Sequence, residues 1–343
     1  SKKTFIARVV ILTAVLGGSA LPAVADGAWS AGTHEVRKLV HGKHRSALVY
    51  VPRSVAKPAA LVLVFHGGGG NAEGIRAQSD WDREADRHGF VVAYPRGYSP
   101  RDDAHKLLTW NAGSCCGAAV RDQSADVEFV GALISDLKTK LLIDPRRIYA
   151  TGHSNGAQMS YRLACELSET IAAIGPIGGT KVLANCPQVR PVPFLHIHGT
   201  ADPCSKFDGG SCGGCFQEFL HQAYFLPTRP STWECDSVPS TIEEWRERYA
   251  LPEKSVPVYR HGPVACESFG GKANPREIMF CMVEGMGHAY PGGKPTPLCE
   301  QRPGSRSCRI FTKVVGPSSS EIKPEPLLWD FFSRHPLVGK GSM

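Results

Sequence analysis

Ser154 lies in Gly152-His153-Ser154-Asn155-Gly156, a G-x-S-x-G arrangement that puts a serine hydroxyl on a sharp strand-to-helix turn. The flanks suit that turn: Arg147-Ile148-Tyr149-Ala150-Thr151 is short and β-favouring, and Ala157 to Ala164 has helical character. A serine becomes a nucleophile when a base takes its proton and an acid orients that base. Asp202 offers the acid, past the apolar stretch Val192 to His198 and at a strand's C-terminal end. His288 offers the base, reached from Ile278 to Val283 through Glu284-Gly285-Met286-Gly287. The expected catalytic set is Ser154, Asp202 and His288, and the chemistry is acyl transfer. Against it stand an ordinary Gly/Ser loop and a chance loop histidine, since His153, His221, His261 and His335 show that residue type elsewhere.

Acyl transfer also needs donors for a developing oxyanion. His66-Gly67-Gly68-Gly69-Gly70-Asn71 ends an apolar strand, where ligands of open α/β sheets bind. Its glycines let the backbone turn N–H groups toward a reacting oxygen. Gly68 is expected to supply one donor and the N–H of Asn155 the other. The run lacks G-x-x-x-x-G-K-[ST], which argues against a phosphate-cradling loop and leaves a plain glycine turn as the competing reading.

These groups need a frame. Ala59 to Phe65 is a near-continuous apolar run, as in a strand buried on both faces of a parallel sheet. Trp81 to His88 reads as a helix and Phe90 to Tyr94 as the next strand. Val127, Val130, Leu133, Ile134, Leu137 and Leu141 share one helix face. Strands are expected at 171–175, 192–198 and 278–283, an antiparallel edge pair between His34 and Pro52, and a closing helix from Pro326 to Phe332. Ser240-Thr241-Ile242-Glu243 has a capping-box pattern opening a helix, on which Glu244 and Arg248 are spaced for an i,i+4 pair. Alternating strands and helices imply an α/β fold with a mostly parallel central sheet flanked by helices. His196 and His198 share a strand face and could offer metal ligands, but no third ligand is adjacent, so packing or hydrogen bonding is expected.

Composition bounds the partners. The 343 residues carry a formal charge of +7, three units of it in Lys2, Lys3 and Arg8. No Lys/Arg stripe supports nucleic-acid binding. Residues 1–25 have the grammar of a secretory leader: a basic start, apolar Val9 to Leu16, and Ala23-Val24-Ala25 before Asp26. A single catalytic domain is expected over 26–343, exported and, with no other run long enough to span a bilayer, not held in a membrane after leader removal. All twelve cysteines follow the leader, and an even number in an exported chain points to disulfides. Cys212-Gly213-Gly214-Cys215 has the spacing of a redox or zinc motif, yet no second pair follows. The adjacent Cys115 and Cys116 are expected to bridge outward to different partners.

Residues 204–240 change character, with four cysteines and Phe207, Phe216, Phe219, Tyr224, Phe225 and Trp233. Leaving the chain just after Asp202, they are expected to form a disulfide-pinned, lid-like cover whose aromatics line an apolar pocket.

The order Ser154, Asp202, His288 matches that of α/β-hydrolases. Asp144-Pro145-Arg146-Arg147-Ile148-Tyr149 leading into the serine motif, with Trp110-Asn111-Ala112-Gly113 and Cys115-Cys116-Gly117 upstream, resembles the secreted polyhydroxybutyrate depolymerase and feruloyl esterase family. His198-Gly199-Thr200-Ala201-Asp202 and Gly287-His288-Ala289-Tyr290-Pro291-Gly292-Gly293 resemble its acid and histidine motifs, with Tyr290 where such sequences often have tryptophan. The resemblance implies an α/β-hydrolase fold with the disulfide-rich insertion after the acid-bearing strand. It also implies cleavage of hydroxyalkanoate polyester or oligomer bonds. Because water resolves the acyl-enzyme, neither metal nor organic cofactor is expected, and the chain is expected to be a monomer. Feruloyl or acetyl groups on plant polysaccharide are the alternative substrates. Trp110, Tyr290, Phe216 and Trp233 are the expected substrate-binding side chains. A non-catalytic ester- or sugar-binding protein on the same fold would typically lack one member of the Ser, Asp, His set.

Overall fold

The computed structural model describes residues 29–101, 105–228 and 232–338. The leader expected over residues 1–25 lies outside the described residues. The first strands are β1 (Gly32–Val40), β2 (Lys43–Val51), β3 (Ala59–Phe65), β4 (Val91–Pro95), β5 (Ile143–His153), β6 (Ala173–Ile177) and β7 (Phe194–Gly199). They are followed by β8 (Gly210–Gly213), β9 (Thr232–Cys235), β10 (Val256–His261), β11 (Val264–Phe269) and β12 (Ile278–Val283). Ten strands form one sheet in the order β1-β2-β4-β3-β5-β6-β7-β12-β11-β10, and β8 pairs with β9 apart from it. From β4 to β12 the neighbours run parallel. Both flanks are antiparallel.

β3 is buried at every residue because helices cover both faces of the sheet. The helices are α1 (Ala72–Gln78), α2 (Trp81–His88), α3 (Gly117–Arg121), α4 (Asp126–Leu141) and α5 (Asn155–Glu166). The later ones are α6 (Cys215–Tyr224), α7 (Val238–Arg248), α8 (Pro297–Gln301), α9 (Arg306–Val315) and α10 (Pro324–Ser333). Alternation along β3 sends Leu61, Leu63 and Phe65 into a core with Phe129 of α4, Met159 of α5 and Trp245 of α7. Val62 and Val64 enter the opposite core with Trp81 of α2 and Trp329 and Phe332 of α10. There Phe332 stacks on Tyr149 at 4.8 Å and Trp329 on Phe90 at 4.0 Å.

The expected elements through the middle of the chain are present with small shifts at their ends. β10 was not legible because it is an exposed edge strand whose apolar and polar residues do not divide between two faces. α7 starts earlier than the capping-box pattern suggests. Ser237 is its cap, accepting from the N–H of Ser240 at 3.1 Å, with Pro239 in the first turn. The expected Glu244–Arg248 pair does not form: Glu244 meets Lys181 at 2.7 Å, and Arg248 donates to the carbonyl of Cys186 at 2.6 Å. Tertiary partners outcompete a surface i,i+4 contact that contributes only about 0.3–0.5 kcal/mol.

All twelve cysteines are paired. Cys165–Cys186 ties α5 to the approach of β7, and Cys266–Cys281 joins β11 to β12. Cys204–Cys215 joins the segment after β7 to α6, Cys212–Cys235 closes the β8–β9 hairpin, and Cys299–Cys308 joins α8 to α9. Cys212 and Cys215 thus have separate partners and neither is a free thiol. Cys115 and Cys116 bridge each other, contrary to expectation. The other ten cysteines each have a spatial neighbour, which leaves these two no outward partner.

Thiol titration of the unreduced, denatured protein is expected to find no free cysteine. A typical bond contributes about 2–4 kcal/mol by restricting the unfolded chain, so reduction before heating should lower the melting temperature by many degrees. An unchanged melting temperature after complete reduction would show that the bonds do not support the fold.

Candidate active site

β5 ends at His153, and Ser154 follows with φ 57° and ψ −120°. Positive φ is costly for a residue with a Cβ, and here the turn is held from both sides. The Ser154 N–H donates to Ile177 at the end of β6 at 2.9 Å, and α5 starts at the next residue. Gly156 lies against the end of β3. A Cβ there would run into the carbonyl oxygen of Phe65 and lie 2.7 Å from that of His66. The space admits only a glycine.

The structure brings Ser154, His288 and Asp202 into one line. The Ser154 hydroxyl donates to His288 Nε2 at 2.7 Å, and the His288 Nδ1–H donates to Asp202 Oδ2 at 2.7 Å. Asp202 and His288 are far apart in sequence but leave neighbouring parallel strands, where Gly199 of β7 is in register with Val283 of β12. Their loops are bonded together, the Ala201 N–H to the Met286 carbonyl at 3.0 Å and the Gly285 N–H to Thr200 Oγ1 at 2.9 Å. The His288 N–H is anchored on the Val315 carbonyl at 2.6 Å. Asp202 Oδ1 accepts from the N–H groups of Cys204 and Ser205 at 2.8 and 2.7 Å. Burial opposes the Asp202 charge, but the His288 imidazole, its hydrogen bond and the backbone donors outweigh burial and hold the carboxyl below the usual aspartate range.

Gly68 lies beside Asn155: a Cβ on Gly68 would sit 3.6 Å from that of Asn155. The N–H groups of Gly69 and Gly70 are already used, on the carbonyls of Leu108 and Gly67. Asn155 opens α5, so its own N–H has no acceptor within the helix. His66 holds the glycine loop. Its Nε2 accepts from the Gly97 N–H at 3.0 Å, so Nδ1 carries the proton and donates to the Gly67 carbonyl at 2.7 Å. Burial lowers its pKa to about 4. Trp110 is fully buried and does not line the cavity, contrary to expectation. Its indole packs edge-on to Phe65 and donates to the His66 carbonyl at 3.0 Å, which supports the loop from behind.

His196 and His198 form a buried chain instead of a metal pair. The His198 Nε2–H donates to the Ser205 carbonyl at 2.7 Å, so His198 Nδ1 accepts from His196 Nε2–H at 2.9 Å. His196 Nδ1 in turn accepts from the Tyr161 hydroxyl at 2.8 Å. Every ring nitrogen is occupied, and burial pushes both imidazoles toward their neutral forms. Sequence reading missed Tyr161, whose one signal is its position a full helical span beyond Ser154 on α5.

Ser154, His288, Gly68 and Asn155 open into a cavity of about 580 Å³. Phe216, Trp233 and Tyr290 line it. α6 and α9 form its roof, Phe219 of one packing edge-on to Phe311 of the other at 5.3 Å. The Phe216 ring rests on Gly69, where a Cβ would come within 2.9 Å of it. The Tyr290 hydroxyl points away from the cavity, donating to buried Glu325 at 2.8 Å. Of the other insertion aromatics, Phe207 packs against Phe280, whereas Phe225 is exposed.

A mostly parallel sheet with a strand–serine–helix turn at its centre, and acid and histidine in the loops after later strands, is the α/β-hydrolase fold. The acetyl xylan esterase of Aspergillus awamori shares this fold, with a TM-score of 0.51 and 16% identity over 74% of this chain and 94% of that one. Residues 45–208, a little under half of the chain, match the family described as esterase PHB depolymerase, and with a feruloyl esterase 31% identical and matched over 73% of its own length the chain belongs to this family of esterases. A probable feruloyl esterase C of Aspergillus flavus is 31% identical over 210 residues, which are 59% of this chain and 73% of that protein. The bifunctional acetylxylan esterase/xylanase XynS20E of Neocallimastix patriciarum is 31% identical over 165 residues. That match takes in 48% of this chain but spans only 22% of the relative's length.

The neutral imidazoles give the fold an acid limit. The folded His66 pKa of about 4 lies below its unfolded value of about 6.5, so the unfolded chain binds the extra proton first. Stability is therefore full above about pH 6.5 and falls as pH drops toward 4, by up to roughly 1.4 kcal/mol per pH unit for this group. The urea midpoint should fall steadily between about pH 7 and 4.5. His66→Gln, though less stable, should show a shallower slope. Equal slopes in the two proteins would show that His66 is not held neutral.

Proposed function

We propose that this protein is a serine carboxylic-ester hydrolase that works through an acyl-enzyme on Ser154. The observation that carries the reading is the hydrogen-bonded line from Ser154 through His288 to Asp202 at the mouth of a large, aromatic-roofed cavity. As Ser154 Oγ bonds to the ester carbonyl carbon, its proton passes to His288 Nε2. The ring, now charged at Nε2 and Nδ1, is stabilised by Asp202. The N–H groups of Gly68 and Asn155 receive the negative oxygen. Collapse breaks the bond to the alcohol oxygen, which takes the proton from His288. Water then attacks the acyl-enzyme with His288 again as base, releasing the acid and restoring the Ser154 hydroxyl.

The substrates proposed are hydroxyalkanoate polyesters or their oligomers, in line with the family that matches residues 45–208. Feruloyl or acetyl esters of plant polysaccharide are the second reading, favoured by the names of the relatives. Phe216, Trp233 and Tyr290 are proposed to contact the substrate. Six disulfides support an oxidising, extracytoplasmic location.

Hydrolysis of p-nitrophenyl butyrate tests the class, and a product assay over hydroxybutyrate oligomers, methyl ferulate and acetylated xylan separates the substrates. Ser154→Ala should stay folded and lose all but a residual ~10³-fold acceleration over water. Asp202→Asn should cut turnover by up to ~10⁴ by favouring the wrong tautomer of His288, while Asp208→Asn changes it little. A phosphonylating inhibitor should label Ser154 alone. Near-normal turnover by Ser154→Ala would end the assignment.

A further inference from the structure

Gln158 is 3% exposed, yet it lines the cavity. Its neighbours fix which way the amide faces. The Trp110 N–H donates to Asn155 Oδ1 at 2.7 Å, so Asn155 Nδ2 is the atom that faces the Trp110 carbonyl at 3.1 Å and Gln158 at 3.4 Å. A donor meets an acceptor, so the Gln158 atom turned to Asn155 is Oε1. Cys116 Sγ, a disulfide sulfur without a proton, lies 3.6 Å from the same oxygen. Nε2 is therefore turned the other way. Among the described residues it has no hydrogen-bond partner, and it does not belong to the polar atoms sealed from solvent. A buried amide with two unused N–H donors thus opens into a largely apolar cavity. Such a donor costs affinity for a ligand that offers it only carbon, and rewards one that offers oxygen.

The position defines which oxygen. Ser154 caps α5 and Gln158 follows one turn on, its N–H donating to the Ser154 carbonyl at 3.1 Å, and both residues line the same cavity. The leaving alcohol takes its proton from His288, which is packed with His153 and Asp202. Gln158 is packed with Asn155 and Cys116, beside the oxyanion donors. The acyl substituent is the part of the ester that runs toward it. We propose that Gln158 is a specificity-determining residue whose Nε2–H donates to an oxygen on the β carbon of the acyl group, be it a free hydroxyl or the ester oxygen of a preceding hydroxyacyl unit. This rests on the ester-hydrolase reading and narrows it to acyl groups that carry β-oxygen.

The test compares p-nitrophenyl 3-hydroxybutyrate, each enantiomer separately, with p-nitrophenyl butyrate, which differs by that one oxygen. The unaltered protein should prefer one hydroxyl enantiomer by about tenfold in kcat/KM, the worth of one neutral hydrogen bond in a desolvated site. Gln158→Met removes the donor at similar volume and should abolish that preference. Gln158→Glu keeps an acceptor for Asn155 but replaces the donor with a carboxylate, and should disfavour the 3-acetoxybutyrate ester, whose β-oxygen can only accept, while the free 3-hydroxyl can still donate to the carboxylate. The 3-acetoxybutyrate ester, with the β-oxygen esterified, should follow the hydroxyl ester if the ether-type oxygen is also accepted. Loss on the hydroxyl ester alone would restrict the site to a terminal unit. Equal rates on butyrate and both 3-hydroxybutyrates in the unaltered protein would overturn the proposal, whether or not the variants fold. An unchanged preference in folded Gln158→Met would do the same. No turnover of any of these esters would instead strike the ester-hydrolase reading.

Discussion

The close approach of α5 to the end of β3 is the constraint on which the rest of the site depends. Gly156 leaves no room for a side chain between its Cα and the carbonyls of Phe65 and His66. That contact sets the distance between the serine turn and the glycine loop, so the two proposed oxyanion donors, one from each, stand side by side. Moving either element by the width of a methyl group would separate them. The turn itself is unfavourable at Ser154 and is kept by the Ser154–Ile177 bond on one side and by this packing on the other.

Around that contact, polar groups are satisfied by directional chains. His66 links Gly97 to Gly67, Trp110 reaches the carbonyl of His66, and the Asn155 side chain clamps the backbone of Trp110 on both sides. The Asn111 N–H donates to Asp126, which is itself paired with buried Arg45 at 2.6 Å. One ionic anchor in the core thus steadies the loop behind the glycines. In each histidine chain one fixed donor or acceptor determines the tautomer of every ring that follows. Gln158 ends such a chain, with its donor left over on the cavity side.

The roof is built differently. α6 and α9 rest on each other through Phe219 and Phe311 and are tied at their ends by Cys204–Cys215 and Cys299–Cys308. Cys204 also gives its N–H to Asp202, so the same residue anchors the roof and the acid loop. Both helices are thus fastened by disulfides, and Phe216, Phe219 and Phe311 on their inner face line the cavity.

Much of this was legible in the chain because it is written in local pattern. Continuous apolar runs marked β3, β4 and β12, amphipathic spacing marked α2 and α4, and glycines beside Ser154 marked the turn, since these signals reflect burial and backbone sterics within a few residues. Asp202 and His288 were singled out as groups past strand ends, yet their meeting depends on β12 lying next to β7, a strand order that no short stretch encodes. Trp110, Cys115 and Cys116 were misread for the same reason. An aromatic near a site can face the ligand or the core, and a cysteine's partner is whichever sulfur the fold brings near. The direction of Gln158 was beyond sequence altogether. It follows from the hydrogen bonds of Asn155 and Trp110, groups that come together only when the sheet, the loop and α5 have been packed.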